Sequence, residues 1–123
     1  VVHSNGLDEI STAGVTSILE LKDGQISKKE LNPEDLGIRP VNVDELKVTD
    51  AKTSAKVLRA ILTGKEKGPR KDIVVLNAAA AIIAGDLADD FESAMSKADA
   101  SVSDGKALEC LEKLIEVSNR DSQ

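Results

Sequence analysis

The stretch Thr16–Leu31, TSILELKDGQISKKEL, decides the fold because it predicts two strands joined by a tight turn. Asp23-Gly24 separates two runs that contain β-branched and apolar residues, and Asp-Gly favours the two-residue type I′ turn whose twist matches paired strands. With that turn, Leu21 lies opposite Ile26, so one side of the hairpin is apolar. We therefore expect an antiparallel hairpin over these residues.

The same stretch also matches the second half of an EF-hand loop, with Asp23, Gly24 and Glu30 at its fifth, sixth and twelfth places. A calcium-binding loop of that kind needs oxygen ligands at its first and third places as well. Those places fall on Leu19 and Leu21, which have no oxygen ligand in their side chains. The sequence therefore favours the hairpin over a calcium site.

Upstream of the hairpin, Val1-Val2-His3 predicts the last residues of a buried strand. Asn5-Gly6 follows as a strong turn signal, because both residues tolerate positive φ. Natural N-termini are usually polar and frayed, whereas this chain opens with two valines and without Met. We expect the strand to begin in a longer polypeptide.

Downstream of the hairpin, capping residues predict a helical region. Asn32, Asn42 and Thr49 are predicted N-caps, and the last of these begins a helix with Ala51, Ala55, Leu58 and Leu62 on one face. The predicted elements are short turns over 33–36 and 42–46, and helices over 50–62, 69–84, 90–102 and 106–117.

The predicted helix over 69–84 is apolar almost all round between Ile73 and Ile83, apart from Asn77. Such a helix is normally surrounded by protein, and a buried amide is costly unless it is hydrogen-bonded. We expect Asn77 to tie the helix to a neighbouring loop or backbone.

One strand, one hairpin and several helices predict an α/β fold with a partial sheet. Too few strands are present to cover the apolar helix, which indicates a piece of a larger α/β domain. Open sheet edges and apolar helix faces then predict self-association of the isolated chain. The predicted segments are a strand, acidic loop and hairpin over 1–31, a helical part over 32–118 and a frayed tail over 119–123.

Composition excludes several classes of function. A net charge of −6 is the wrong sign for a phosphate-backbone binder, and one Phe with no Tyr or Trp leaves no stacking surface for nucleic-acid bases. The single Cys excludes an internal disulfide and a cysteine-rich zinc site. No apolar run reaches the roughly 18 residues of a membrane span, so we expect a cytoplasmic protein without a membrane partner.

Asp8 and Glu9 form the candidate chemical site. The pair follows a predicted strand, where ligands commonly bind in α/β proteins, and Mg²⁺ is commonly held by one or two carboxylates with phosphate oxygens and waters. The spacing alone also fits a solvated acidic loop, because two adjacent acids are a weak signal.

Three other features have simpler structural interpretations. His3 is expected to be a hydrogen-bonding residue rather than a base, and Cys110 a buried thiol rather than a nucleophile. The basic cluster around the 64–69 connection is expected to be solvated surface; it consists of Lys65, Lys67, Arg70 and Lys71.

Several short motifs occur in an order and spacing that resemble the anthranilate phosphoribosyltransferase family of tryptophan biosynthesis. The resemblance extends over most of the chain. The matching stretches are Val1–Ser11, Leu19–Gly24, Asn32–Gly37, Leu76–Ala80 and Ser103–Leu108.

This resemblance implies the later, C-terminal part of a nucleoside-phosphorylase/phosphoribosyltransferase-like α/β domain. Enzymes of the family transfer phosphoribose from phosphoribosyl pyrophosphate to anthranilate with Mg²⁺, and they dimerise through a helical domain absent here. The resemblance assigns Asp8 and Glu9 as metal ligands. The family's glycine-rich phosphate loop and anthranilate-binding residues lie upstream, so the isolated chain is expected to be inactive and no catalytic residue is assigned within it.

Two alternatives stay open at this point. A non-catalytic helical binding or scaffold module would keep the shape without the chemistry. A related nucleoside phosphorylase of similar architecture fits the quoted motifs less well.

Overall fold

The computed structural model of the chain describes residues 1–120, which form a three-stranded antiparallel sheet, two 3₁₀ turns and four α-helices. The strands are β1 (Val2–His3), β2 (Thr16–Lys22) and β3 (Gln25–Leu31). The helices are α1 (Ala51–Leu62), α2 (Pro69–Ala84), α3 (Phe91–Ser103) and α4 (Lys106–Ser118). The predicted α/β fold with a partial sheet is confirmed.

Strands β2 and β3 form the predicted hairpin in the predicted register. Leu21 pairs with Ile26, and Ile18 pairs with Lys29. The turn residues Asp23 and Gly24 have φ of 51° and 76°, the positive values that a type I′ turn requires. Local turn chemistry therefore fixes the pairing.

Strand β1 exists as predicted, but its side chains are not buried. Val1 is 91% exposed, Val2 is half-buried and His3 is exposed. The strand lies at the edge of the sheet and pairs antiparallel with β2, where the Leu19 N–H donates to the Val1 carbonyl at 2.8 Å. The side chains of a strand point to the two faces of its sheet, and the described residues do not cover both faces at β1.

The 3₁₀ turns begin and end as predicted. The first, Pro33–Leu36, is capped by Asn32 and ends at Gly37 in the left-handed region. The second, Val43–Glu45, is capped by Asn42 through a full capping box with Glu45.

The cap of α1 is Asp50 and not Thr49. The Asp50 carboxylate accepts the Thr53 backbone N–H at 2.8 Å, and the Thr49 hydroxyl donates to the other oxygen of that carboxylate at 3.0 Å. A carboxylate is favoured over a neutral hydroxyl at the positive end of a helix. Thr49 therefore supports the cap from one residue upstream.

The buried face of α1 is also rotated from the predicted one. Ile61 is 3% exposed, whereas Leu58 is 40% exposed and Ala51 and Ala55 are exposed. The choice between neighbouring apolar residues depends on where α3 and α4 lie, and both pack on α1.

Helices α2 and α3 pack closely along a seam of small residues. Ala79 of α2 is buried, as are Ala94 and Ala98 of α3. Val75 of α2 and Val102 of α3 are buried as well. Only Val75, Leu76 and Ala79 of α2 are buried, so the described part of the chain leaves most of this apolar helix uncovered, as expected from its small number of strands.

The sequence spacing predicts Phe91, Ala94, Met95 and Ala98 on one face of α3. This face is the inner one, because Ala94 and Ala98 are buried and Phe91 and Met95 pack on the core.

A second core joins the acidic loop to α2. Its buried members are Ile10, Ile38 and Leu76, with exposures of 0%, 7% and 0%. Phe91 and Met95 of α3 pack on it with Val2 and Leu31 from the sheet. This cluster sets where the loop sits relative to the helices.

Cys110 is exposed, which contradicts the expected buried thiol. The sequence spacing predicts an apolar stripe along α4, made of Leu108, Leu111, Leu114 and Ile115. No residue of α4 is buried, and Leu114 is 64% exposed and Ile115 38% exposed. The predicted frayed tail over 119–123 lies outside the described residues for its last three positions.

Apolar side chains on the outer part of the hairpin are exposed, with Leu21 at 72% and Ile26 at 75%. These side chains support the expectation that the isolated chain self-associates, which stays a prediction. Within 1–120, the helices are all too short or too polar to cross a membrane.

Asp90, the N-cap of α3, makes acid stability testable. The Ser93 backbone N–H donates to its carboxylate at 2.7 Å, and this bond together with one to the Ser93 side chain lowers the pKa of Asp90. A lowered folded-state pKa contributes stability above the unfolded value, about 3.9, that is lost as pH falls through the folded-state pKa. Asp90→Ala is therefore expected to lower the Tm at pH 7 by more than at pH 3, as measured by circular dichroism.

Asp90→Asn is the matched control because its amide oxygen still caps the helix and carries no titrating proton. At pH 7 we expect the Tm of Asp90→Asn to stay near that of the unsubstituted protein. At pH 3 we expect the Tm of Asp90→Asn to be higher relative to the unsubstituted protein than it is at pH 7. The same Tm loss for Asp90→Ala at both pH values would contradict the role of this cap.

Candidate metal centre

The candidate site lies on the loop from Ser4 to Val15, which joins β1 to β2. The loop opens with the predicted Asn-Gly turn, in which Asn5 and Gly6 have φ of 48° and 85°. Ser4 and Leu7 close the turn with two backbone hydrogen bonds, from the Ser4 N–H at 3.1 Å and from the Leu7 N–H at 2.8 Å. Asp8 and Glu9 follow this turn directly.

Both carboxylates are exposed, and apolar residues anchor them on each side. Leu7 is half-buried and Ile10 is fully buried, whereas Asp8 and Glu9 are solvent-accessible. Among residues 1–120, no cationic group forms an ion pair with either carboxylate. Their oxygens are therefore available to a ligand from outside the described part of the chain.

Buried hydroxyl groups hold the two ends of the loop together. The Ser4 hydroxyl donates to the Val15 carbonyl at 3.0 Å, and the Thr16 hydroxyl oxygen accepts the Ser11 N–H at 3.2 Å. Ser4, Ser11 and Thr16 are each at most 2% exposed. The sequence interpretation missed these residues, although small hydroxyl residues on both sides of an acidic pair were the available signal.

Asn77 of α2 reaches the same loop. Its side-chain Oδ1 accepts the Ile10 N–H at 3.0 Å, and its Nδ2 donates to the Ile10 carbonyl at 2.8 Å. The prediction that Asn77 ties its helix to a loop backbone is confirmed. The residue that it holds is the one directly after Glu9.

The other sequence candidates make separate contacts. His3 is exposed on β1. In the basic cluster, Lys71 forms an ion pair with Asp99 at 2.5 Å and Arg70 donates to the Lys47 carbonyl at 3.1 Å. These contacts join structural elements and provide no link to Asp8 or Glu9.

The donor chemistry of the acidic pair fits Mg²⁺, a hard cation that takes oxygen ligands and keeps several waters. The described residues contain no group of three or more His, Cys, Asp or Glu side chains that could hold a metal alone. Two carboxylates are enough where phosphate oxygens and waters complete the octahedron. A shared metal with a phosphate ligand is therefore a better fit than an all-protein cage.

Comparison with known proteins gives one family match. Residues 1–108 match the family described as glycosyl transferase family, a/b domain. An anthranilate phosphoribosyltransferase of Chelativorans sp. (strain BNC1) is 42% identical over 98% of this chain and 35% of its own length. The enzyme of the same name from Rhizobium meliloti (strain 1021) is 45% identical over 97% of this chain and 35% of its own length.

Solved structures give the same result. The crystal structure of anthranilate phosphoribosyltransferase from Thermus thermophilus has a TM-score of 0.81 at 29% identity, over 91% of this chain and 33% of its own. The Saccharomyces cerevisiae enzyme in complex with PRPP and Mg has a TM-score of 0.85 at 25% identity, over 94% of this chain and 33% of its own. The chain thus spans about a third of the length of the relatives that it matches.

Proposed function

We infer the function from one premise: this chain belongs to the glycosyl transferase family, through the a/b domain that matches its residues 1–108. The resemblance to anthranilate phosphoribosyltransferases is confirmed by relatives and structures that match nearly the whole chain. We propose that the full-length protein transfers phosphoribose from phosphoribosyl pyrophosphate to the amino group of anthranilate and releases pyrophosphate. Residues 1–123 then form the later part of its α/β catalytic domain.

One observation carries this proposal. The loop between β1 and β2 presents two exposed carboxylates that have no ion-pair partner within residues 1–120, in a chain that superposes on a neighbour solved with PRPP and Mg. We propose Asp8 and Glu9 as the ligands of a Mg²⁺ ion bound with the substrate diphosphate. The hydrogen bonds to Ile10 and Ser11 support this assignment, because a ligand pair needs a backbone that does not move when the ion leaves.

The chemistry explains why carboxylates, and not a nucleophile, are needed here. Loss of pyrophosphate leaves positive charge on the ribose ring and gathers negative charge on the leaving group. A bound Mg²⁺ supplies positive charge that stabilises the diphosphate as it departs. Asp8 and Glu9 offer oxygen ligands and transfer no proton, so their role would be to hold the metal ion and orient it toward the diphosphate.

The remaining parts of the site would come from the rest of the polypeptide. We propose that the phosphate loop and the anthranilate-binding residues lie outside this chain, that the full protein is a homodimer, and that it is cytoplasmic. The match to a third of each relative supports the division of the site between this chain and further sequence.

The test is a phosphoribosyl transfer assay that follows the loss of anthranilate fluorescence. We expect the full-length protein to consume anthranilate only when phosphoribosyl pyrophosphate and Mg²⁺ are both present. The purified 123-residue chain is expected to show no turnover, because it lacks part of the phosphate site. No turnover in the full-length protein would contradict the proposed function, and turnover in the isolated chain would contradict the proposed division of the site.

A further inference from the structure

We propose that Asn77 is a positioning residue for the acidic pair: its side-chain amide fixes the peptide that joins Glu9 to Ile10, and so the direction in which Glu9 offers its carboxylate. The inference rests on the proposed function of the pair as metal ligands. Asn77 itself lies on α2 and is not proposed to touch metal or substrate.

The contact is a two-point clamp on one residue. Asn77 Oδ1 accepts the Ile10 N–H at 3.0 Å, and Asn77 Nδ2 donates to the Ile10 carbonyl at 2.8 Å. The two bonds join positions 67 residues apart in sequence. They make α2 the support of the loop.

A third bond fixes the orientation of the amide. Asn77 Nδ2 also donates to the Ile73 carbonyl one turn earlier in α2, at 3.0 Å. A rotated amide would turn its oxygen toward both carbonyls and its nitrogen toward the Ile10 N–H. The network therefore allows one orientation, and Asn77 meets the loop as a rigid extension of the helix.

Peptide planarity transmits this clamp to Glu9. The Ile10 N–H lies in the same plane as the Glu9 Cα and carbonyl, because the six atoms of a peptide unit are coplanar. Fixing the direction of that N–H restrains the plane from which the Glu9 side chain departs. Asp8 is separated from this restrained peptide by the two rotatable backbone bonds of Glu9, φ and ψ. The clamp is therefore expected to restrain the orientation of the Glu9 side chain more than that of Asp8.

Burial makes the clamp difficult to replace by water. Ile10 and its core neighbour Leu76 are both 0% exposed, and Leu76 precedes Asn77 in α2. An apolar residue at position 77 would leave the N–H and the carbonyl of Ile10 without partners, a loss comparable to two unsatisfied buried groups. The loop would then move to find other partners and carry Glu9 with it.

The experiment uses the full-length protein and two readouts besides turnover. Hydrogen–deuterium exchange of the peptide covering 8–16 is followed in metal-free protein, and the affinity for Mn²⁺, as a spin-active substitute for Mg²⁺, is measured by electron paramagnetic resonance. For Asn77→Leu we expect at least about ten-fold faster exchange in that peptide. We also expect about ten-fold weaker Mn²⁺ binding, the usual loss when a residue that orients a ligand is removed.

Asn119→Leu is the matched control. Asn119 also donates its side-chain Nδ2 to a carbonyl four residues earlier, that of Ile115 at 2.7 Å, but it makes no bond to the acidic loop. We expect its exchange over 8–16 and its Mn²⁺ affinity to match those of the unsubstituted protein. A loss equal to that of Asn77→Leu would overturn the inference.

Two further variants keep the test decisive. Asn77→Ala removes both bonds to Ile10 without adding a bulky side chain or a charge, so we expect the same direction of change as in Asn77→Leu, and this variant serves as the test if the leucine variant does not fold. In a Glu9→Gln background, Asn77→Leu is expected to weaken Mn²⁺ binding further by less than about two-fold, because coupled residues are not additive. If Asn77→Leu weakened Mn²⁺ binding by a full ten-fold in the Glu9→Gln background as well, the inference that Asn77 acts through Glu9 would be overturned.

The failure of this inference differs from the failure of the proposed function. Unchanged exchange and Mn²⁺ affinity in the Asn77 variants, together with loss of Mn²⁺ binding in Asp8→Asn/Glu9→Gln, would overturn the inference alone. Equal Mn²⁺ affinity in that double variant and the unsubstituted protein would refute the metal role of the pair, and the inference with it.

Discussion

Asp8→Asn combined with Glu9→Gln in the full-length protein is expected to reduce phosphoribosyl transfer about 100-fold or more, with partial recovery at high Mg²⁺. Both replacements keep the side-chain size and remove the charge that attracts the cation. The side chains are exposed and form no ion pair among the described residues, so the fold should not depend on them. The measurement is the initial rate against Mg²⁺ concentration at saturating phosphoribosyl pyrophosphate.

Glu34→Gln combined with Asp35→Asn provides the matched control. These two carboxylates are also adjacent and exposed, and they lie in the first turn of the 3₁₀ segment after Asn32. The control changes the net charge by the same amount and should leave the rate within about two-fold, since distant surface substitutions usually have small effects. Unchanged turnover in the Asp8/Glu9 variant would show that the two carboxylates belong to a solvated loop and do not bind the catalytic metal.

Leu76→Ala is expected to lower the free energy of unfolding by about 2–5 kcal/mol, the range for a large apolar residue removed from a core. Leu76 is 0% exposed and packs with Ile10 and Ile38, so its loss opens a cavity between α2 and the acidic loop. Urea unfolding of the full-length protein, followed by circular dichroism, gives the change.

Leu114→Ala is the control for this substitution. It makes the same chemical change on α4, where the side chain is 64% exposed, and should cost less than about 0.5 kcal/mol. Equal losses for the two leucines would mean that the cluster around Ile10 does not form the core beneath the loop.

Local chemistry accounts for the parts of the fold that the sequence predicts well. The Asp23-Gly24 turn fixes the hairpin register, and the short turns begin after Asn32 and Asn42 as predicted. In each case the deciding groups lie within a few residues of one another, so the sequence contains the whole interaction.

Most of the wrong predictions concern burial, which depends on distant elements. The sequence favoured Leu58 over Ile61 as a buried residue of α1 and expected Cys110 to be covered, and the packing of α1, α3 and α4 decides both cases otherwise. The predicted N-cap of α1, Thr49, differs from the observed N-cap, Asp50, by one residue, which is within the usual uncertainty of helix boundaries.

In the candidate site, too, local features could be predicted from the sequence and contacts between distant residues could not. Asp8 and Glu9 could be chosen as candidates from their residue types and from the turn before them, but their spacing alone favoured a solvated acidic loop, and the resemblance to a known family raised the metal hypothesis above it. The groups that hold the loop, Thr16 and Asn77, lie 5 and 67 residues from their partners Ser11 and Ile10. Asn77 was predicted to bind backbone because an amide in an apolar helix needs a partner, whereas which backbone it binds is a property of the fold.

The most direct test of the metal role is a crystal structure of the full-length protein with phosphoribosyl pyrophosphate and Mn²⁺, which takes the same oxygen ligands as Mg²⁺. The anomalous difference map locates the ion independently of any assumed ligands. We predict a peak within coordination distance of a carboxylate oxygen from Asp8 or Glu9 and of a diphosphate oxygen. A metal peak on the diphosphate that neither carboxylate approaches, directly or through one water, would contradict the account.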